Sequence, residues 1–127
     1  MTKLIIKTSK APLPIGPYNQ AVLSGNTLFI SGQIPMNPET ATLVVDDIKA
    51  STLQVMKNLE AILNEAGMTF ENAVKTSIFL QDMNDFAQVN EVYGSFFQIE
   101  TAPARETVQV GKLPLGVGVE ISMIAVL

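Results

Sequence analysis

Apolar residues at Ile48, Val55, Met56, Leu59, Ile62, Leu63 and Ala66 recur with the one-sided spacing of a 3.6-residue repeat. They predict a helix from Asp46 to about Ala66. Asp46 or Asp47 can cap its start, and Gly67 supplies a left-handed stop. A second stripe, Phe86, Val89, Val92, Tyr93, Phe96 and Phe97, predicts a helix opening near Asn84 or Asp85. Elsewhere the period is two. Val74, Thr76, Ile78 and Leu80 alternate with Lys75, Ser77 and Phe79, as in a strand. Short strands are also predicted over Lys3–Thr8, Ala21–Leu23 and Thr27–Ser31, the last two joined by a turn at Ser24-Gly25-Asn26. Arg105–Val110 and Val117–Leu127 complete the set. The order is βββαβαββ, in one domain spanning 1–127, with no repeat or linker.

Strand–helix–strand units call for parallel pairing and the early hairpin for antiparallel pairing, so the sheet is expected to be mixed. Two helices cover one face of it. The last strand is nevertheless apolar on both faces, with Val119, Ile121 and Met123 on one and Ile124 and Val126 on the other. Apolar residues on both faces mean that both faces are covered, and there is no third helix. Self-association is the economical cover. Charged residues make up 16% of the 127 residues, against a usual ~25%, which points the same way; an unusually apolar monomer surface is the alternative.

Composition removes several chemistries. There is no cysteine and no histidine, so disulfides, thiolate nucleophiles, Cys/His zinc sites and Ser-His-Asp catalysis are excluded. The net charge is −4, from 8 basic and 12 acidic residues, without the basic stripe of a nucleic-acid binder. No apolar run approaches the ~18 residues that span a bilayer, and the N-terminus lacks a secretory apolar core. A soluble cytoplasmic protein is expected. Gly111-Lys112-Leu113 and Gly116-Val117-Gly118 fit neither a phosphate loop nor a dinucleotide fingerprint.

Few residues remain to carry chemistry. Arg105 is the only arginine. Its planar fork of donors suits a two-point grip on a carboxylate, although a residue snorkelling from a strand would look the same in sequence. Glu120 is the only charge after Lys112 and stands in an apolar strand, either as an edge charge that blocks aggregation or as a carboxylate whose pKa burial would raise. Tyr18 follows Gly16-Pro17, and Asn90 sits beside the apolar stripe of the second helix. Each suits a cleft lining as well as a wet surface position.

Taken together, Ile15-Gly16-Pro17-Tyr18, Ser31-Gly32-Gln33-Ile34-Pro35, Asn84-Asp85-Phe86 with Val89, Asn90 and Tyr93, and Pro103-Ala104-Arg105 with Val108, Leu113 and Val119-Glu120-Ile121 resemble the RidA (YjgF) family from end to end. The resemblance implies an α+β, chorismate-mutase-like fold: a mixed six-stranded sheet with two helices on one face, assembled as a homotrimer with clefts between subunits. It implies cofactor-free hydrolysis of 2-imino acids, or their enamine tautomers, released by threonine and serine dehydratases, to 2-oxo acids and ammonia. Carried over by position, Arg105 grips the substrate carboxylate and Glu120 orients or deprotonates water. Tyr18 and Asn90 line the cleft, and Gly32 and the backbone of Thr107 approach the ligand. Three positions depart from the family pattern. Glu106 replaces a small residue, and strand alternation should turn it away from Arg105. Thr107 stands where many members have cysteine, and Ser122 replaces a frequent acidic residue. A trimer that binds small carboxylates without turnover is the competing reading. A ribonuclease role, a label some relatives carry, is opposed by the charge balance.

Overall fold

The computed structural model describes residues 2–127. Six strands form the main sheet: β1 (Leu4–Ile6), β2 (Ala21–Ser24), β3 (Thr27–Gln33), β6 (Ala73–Leu80), β7 (Ala104–Gln109) and β8 (Val119–Val126). Two two-residue strands, β4 (Met36–Asn37) and β5 (Thr42–Leu43), pair with each other in a small hairpin. The helices are α1 (Ile48–Glu65) and α2 (Phe86–Gly94).

The first helix follows its pattern closely. Val55, Met56, Leu59, Ile62 and Leu63 are wholly buried against the sheet. Each contributes roughly 1.5–3 kcal/mol of transfer free energy. Asp47, rather than Asp46, caps the start by accepting from the Ala50 N–H at 2.7 Å. Gly67 sits at φ +74°, and the Gly67 and Met68 N–H groups donate to the carbonyls of Asn64 and Leu63. That pair of bonds is a Schellman stop. The second helix is shorter than its apolar stripe. It ends at Gly94, and Phe96 and Phe97 pack beyond it, edge-on to Phe70 at 5.3 and 5.4 Å.

The sheet order is β1-β2-β3-β8-β6-β7. Strands β3 and β6, which flank α1, run in the same direction but do not pair, because β8 enters between them antiparallel to both. Parallel pairing survives only between β6 and β7. Val74 leaves the face assigned to it by simple alternation. The register against β8 shifts between Ala73 and Lys75, and Val74 is exposed while Ala73 is buried. Such a bulge inserts one residue and reverses the alternation on one side of it.

Both helices cover the same face. The opposite face, carrying Phe29, Lys75, Ser77, Phe79, Ser122 and Ile124, has no covering element among the described residues of one chain. Phe29 is 48% exposed there. This is the second apolar face that the last strand predicts, although Lys75 and two serines interrupt it. Among the described residues no helix is long and apolar enough to cross a membrane.

Candidate functional site

Arg105 enters β7 level with Thr76 of β6 and projects toward α2. Its Nη1 donates to Asn90 Oδ1 at 2.7 Å. Its guanidinium carbon stands 5.2 Å from the Tyr93 ring centre and 5.6 Å from that of Phe86, within cation–π range. Phe86, Asn90 and Tyr93 are spaced i, i+4, i+7, so one helix face holds the whole clamp. The Tyr93 hydroxyl is itself paired with the buried Thr76 Oγ1 at 2.7 Å. Burial raises the Tyr93 pKa, against the opposing pull of the Thr76 hydrogen bond and the Arg105 charge. The arginine is thus pre-set in one orientation, with a single hydrogen bond from its side chain among the described residues.

Glu106 points to the other face, as strand alternation requires. It accepts from Ser77 Oγ and pairs with Lys75 Nζ, the latter at 2.9 Å. The Ser77 hydrogen bond first, and Lys75 after it, hold its carboxyl below the usual range. It does not compete for the guanidinium. Thr107 returns to the helix side level with Ile78, and its Oγ1 is buried without a hydrogen-bond partner among the described residues.

Glu120 belongs to a different neighbourhood. It alternates with the wholly buried Val119 and Ile121, so it faces away from the helices, level with Phe79. Beside it β3 shifts register between Ile30 and Gln33, where Gly32 lies. A Cβ on Gly32 would stand 2.8 Å from the Glu120 carboxyl carbon, so the absence of a side chain there lets the carboxylate lie against the backbone. Burial alone raises the Glu120 pKa. Replacing Gly32 by Ala should push the carboxylate outward into water. Its pKa, followed by carbon NMR of the carboxyl, should then fall back toward the ordinary glutamate value; an unchanged titration would mean that Gly32 does not set its environment.

The cleft around Glu120, about 390 Å³, is lined by Ile15, Tyr18, Ser31, Ile34, Pro114 and Leu115, with Gly32 at its base. The Pro/Gly segment that carries Ile15 and Tyr18 is tied down by Gln20. This buried amide accepts from the Thr8 N–H at 2.8 Å and reaches the carbonyls of Thr8, Ala11 and Pro12. On the opposite rim Leu115 adopts φ 57°, ψ 17°. That left-handed conformation costs a branched L-residue about 1–3 kcal/mol.

Within one chain the predicted residues therefore form two groups. Arg105, Asn90 and Thr107 lie on the helix side of the sheet; Glu120, Gly32 and Tyr18 lie on or beside the other. Three residues along β6 and two strand spacings separate the levels of Arg105 and Glu120, roughly 10 Å in each direction, and the sheet stands between them. No small molecule can touch both in a single chain. Sequence reading did not single out Phe86, Tyr93 or Gln20 as supports of these side chains. For the first two the i, i+4, i+7 spacing around Asn90 is a usable signal; for Gln20 there is none. Among the described residues no group of three or more His, Cys, Asp or Glu side chains could hold a metal ion.

The pattern of the endoribonuclease L-PSP family matches residues 8–127. A RutC family protein of Synechocystis is 51% identical over 128 residues, covering 100% of this chain and 98% of its own. The 2-iminobutanoate/2-iminopropanoate deaminase of Mus musculus is 48% identical over 122 residues, covering 96% and 90% respectively. The crystal structure of Escherichia coli TdcF with bound serine superposes with a TM-score of 0.92 at 42% identity, covering 98% of each chain.

Proposed function

The chain belongs to the endoribonuclease L-PSP family, that of RidA, YjgF and RutC, and from that membership we propose that it hydrolyses 2-imino acids to 2-oxo acids and ammonia. The observation that carries this reading is the pre-set guanidinium of Arg105, held by Asn90 between two rings. It has the geometry to take a carboxylate in two parallel hydrogen bonds. A half-buried carboxylate in a mostly apolar cleft, Glu120, is the matching acid/base group.

Because the two lie on opposite faces of the sheet, each working site takes Arg105, Asn90 and Thr107 from one copy and Glu120, Gly32 and Tyr18 from its neighbour. A closed ring of three copies, the homotrimer, makes three such sites and covers the free sheet face. The reaction needs no covalent nucleophile, because a protonated imine is already electrophilic. Glu120 takes a proton from water as the oxygen bonds to the imine carbon and the C=N electron pair moves to nitrogen. The proton passes to nitrogen, the C–N bond breaks, and the departing ammonia takes the hydroxyl proton, leaving 2-oxo acid and ammonium. Arg105 holds the acid end throughout, and positioning supplies much of the rate.

The family takes its name from an endoribonuclease, but a net charge of −4 and a single arginine offer little to a phosphate backbone. Binding without turnover is the stronger rival, since TdcF was crystallised with serine, a stable carboxylate. One experiment separates them. Threonine dehydratase is run with semicarbazide as an imine trap. Added protein should divert imine to 2-oxobutanoate and lower the trapped yield. Undiminished trapping at stoichiometric protein would defeat the hydrolase reading.

A further inference from the structure

We propose that Leu115 is a specificity-determining residue that gives this site a preference for 2-imino and 2-oxo acids with hydrocarbon side chains longer than a methyl group; the inference rests on the reading above.

The loop that carries Leu115 is anchored on both sides of it, by the buried Leu113 and Val117. Leu115 itself is 59% exposed. Packing in the core therefore does not explain why a branched side chain stands at φ 57°, where glycine or asparagine would sit without strain. Of the two non-glycine residues with positive φ among those described, the other, Ala41, lies in the small β4–β5 hairpin away from the cleft. Strain kept without burial points to a use for the side chain.

Its position says which use. Leu115 lines the Glu120 cleft and also a narrower recess of about 60 Å³ that continues from it past Leu13, Ile15 and Ile34. Ile15 is 84% exposed, so the rim presents hydrocarbon on both sides. Among the described residues of one chain no lysine or arginine lines either space and Glu120 is the one carboxylate; the neighbour's Arg105 is engaged by the substrate's first carboxylate. A second carboxylate on the substrate would enter beside Glu120 with no cation to meet it, whereas a branched aliphatic chain would find apolar walls. A pocket of this kind discriminates a single methylene group by about 10–200-fold.

The test uses two 2-oxo acids as stable probes, 4-methyl-2-oxopentanoate and 2-oxopropanoate, with 2-oxobutanedioate as the acidic comparison. Titration calorimetry on the wild-type protein should give roughly 10-fold tighter binding of the branched acid than of 2-oxopropanoate, with the diacid weaker than the branched acid. Leu115→Asn keeps a side chain that tolerates the left-handed backbone but makes it polar, and should cut the branched-to-methyl ratio about 5-fold or more. Leu115→Gly relieves the strain and empties the wall, and should cut it likewise; it serves alone if the asparagine variant does not fold. Equal wild-type affinities, no binding of any of the three acids, or ratios unchanged in both variants would overturn the proposal. So would a change in sedimentation state with the ratio unchanged, because the leucine would then be covering a neighbouring copy. The corresponding imines, generated by an amino acid oxidase, separate the two claims. Selective binding without hydrolysis sinks only the hydrolase reading, and hydrolysis without selectivity sinks only this one.

Discussion

Arg105→Ala should lower kcat/KM for imine hydrolysis by about 10²–10³-fold. Two charge-assisted hydrogen bonds to one carboxylate are together worth about 3–4 kcal/mol. Arg105 is the only arginine in the chain. The fold should tolerate the change, because the side chain lies on the surface and hydrogen-bonds to the equally exposed Asn90. Thermal unfolding then serves as the control, and a variant that unfolds normally but no longer spares imine from the trap isolates the grip. Arg105→Lys restores the charge but not the fork, so it should recover only a small part of the loss. Full activity in either variant would remove the guanidinium from the mechanism.

Glu120→Gln should cost about 10²–10⁴-fold in kcat, the usual worth of a placed acid/base group, with KM changed far less. In the wild type, activity should fall on the acid side as this carboxyl, raised by burial, takes up its proton. The same burial sets the sign of its effect on stability. The folded state binds the proton more tightly than the unfolded chain does. Glu120 therefore favours folding at low pH, and that contribution is lost as pH rises through its folded pKa. The glutamine variant should accordingly be the more stable protein at pH 7, with the advantage vanishing below the ordinary glutamate value. Co-expression of the two inactive variants tests the shared site directly. If Arg105 and Glu120 come from different copies, random mixing regenerates roughly one site in four. If one chain supplied both, mixing would restore nothing.

Local pattern carried the sequence reading a long way. The α1 stripe, its Asp47 cap and its Gly67 stop were legible because helix burial follows a fixed period and both caps are local chemistry. Sheet order was not. That β8 separates β3 from β6 depends on contacts between residues some 90 positions apart, and no window of alternation contains that information. The β4–β5 hairpin was missed because two-residue strands have no period to detect. Val74 was misplaced because a bulge is a defect in the alternation on which its face was assigned. At the site, the opposite orientations of Arg105 and Glu106 followed from strand geometry alone. The opposite orientations of Arg105 and Glu120 did not, since they required the registers of β7 and β8 on β6. The polar core residues Gln20 and Asn58, both nearly or wholly buried, were illegible for a related reason. Asn58 serves carbonyls of Ile34 and Met36, partners more than twenty residues away.

The place of β8 also governs how the molecule must come into being. Of the sheet's six strands it is the last to be synthesised, yet it lies between the two halves of the sheet and bonds to both. Until residues 119–126 have left the ribosome, the β1–β3 meander and the β6–β7 pair have no ladder between them, and α1 has only a divided floor to settle on. The nascent chain must wait with unpaired edges on β3 and β6, a hazard for premature association. A chain released before residue 119 would therefore lack the keystone of the arch, the one strand that bonds to both halves of the sheet.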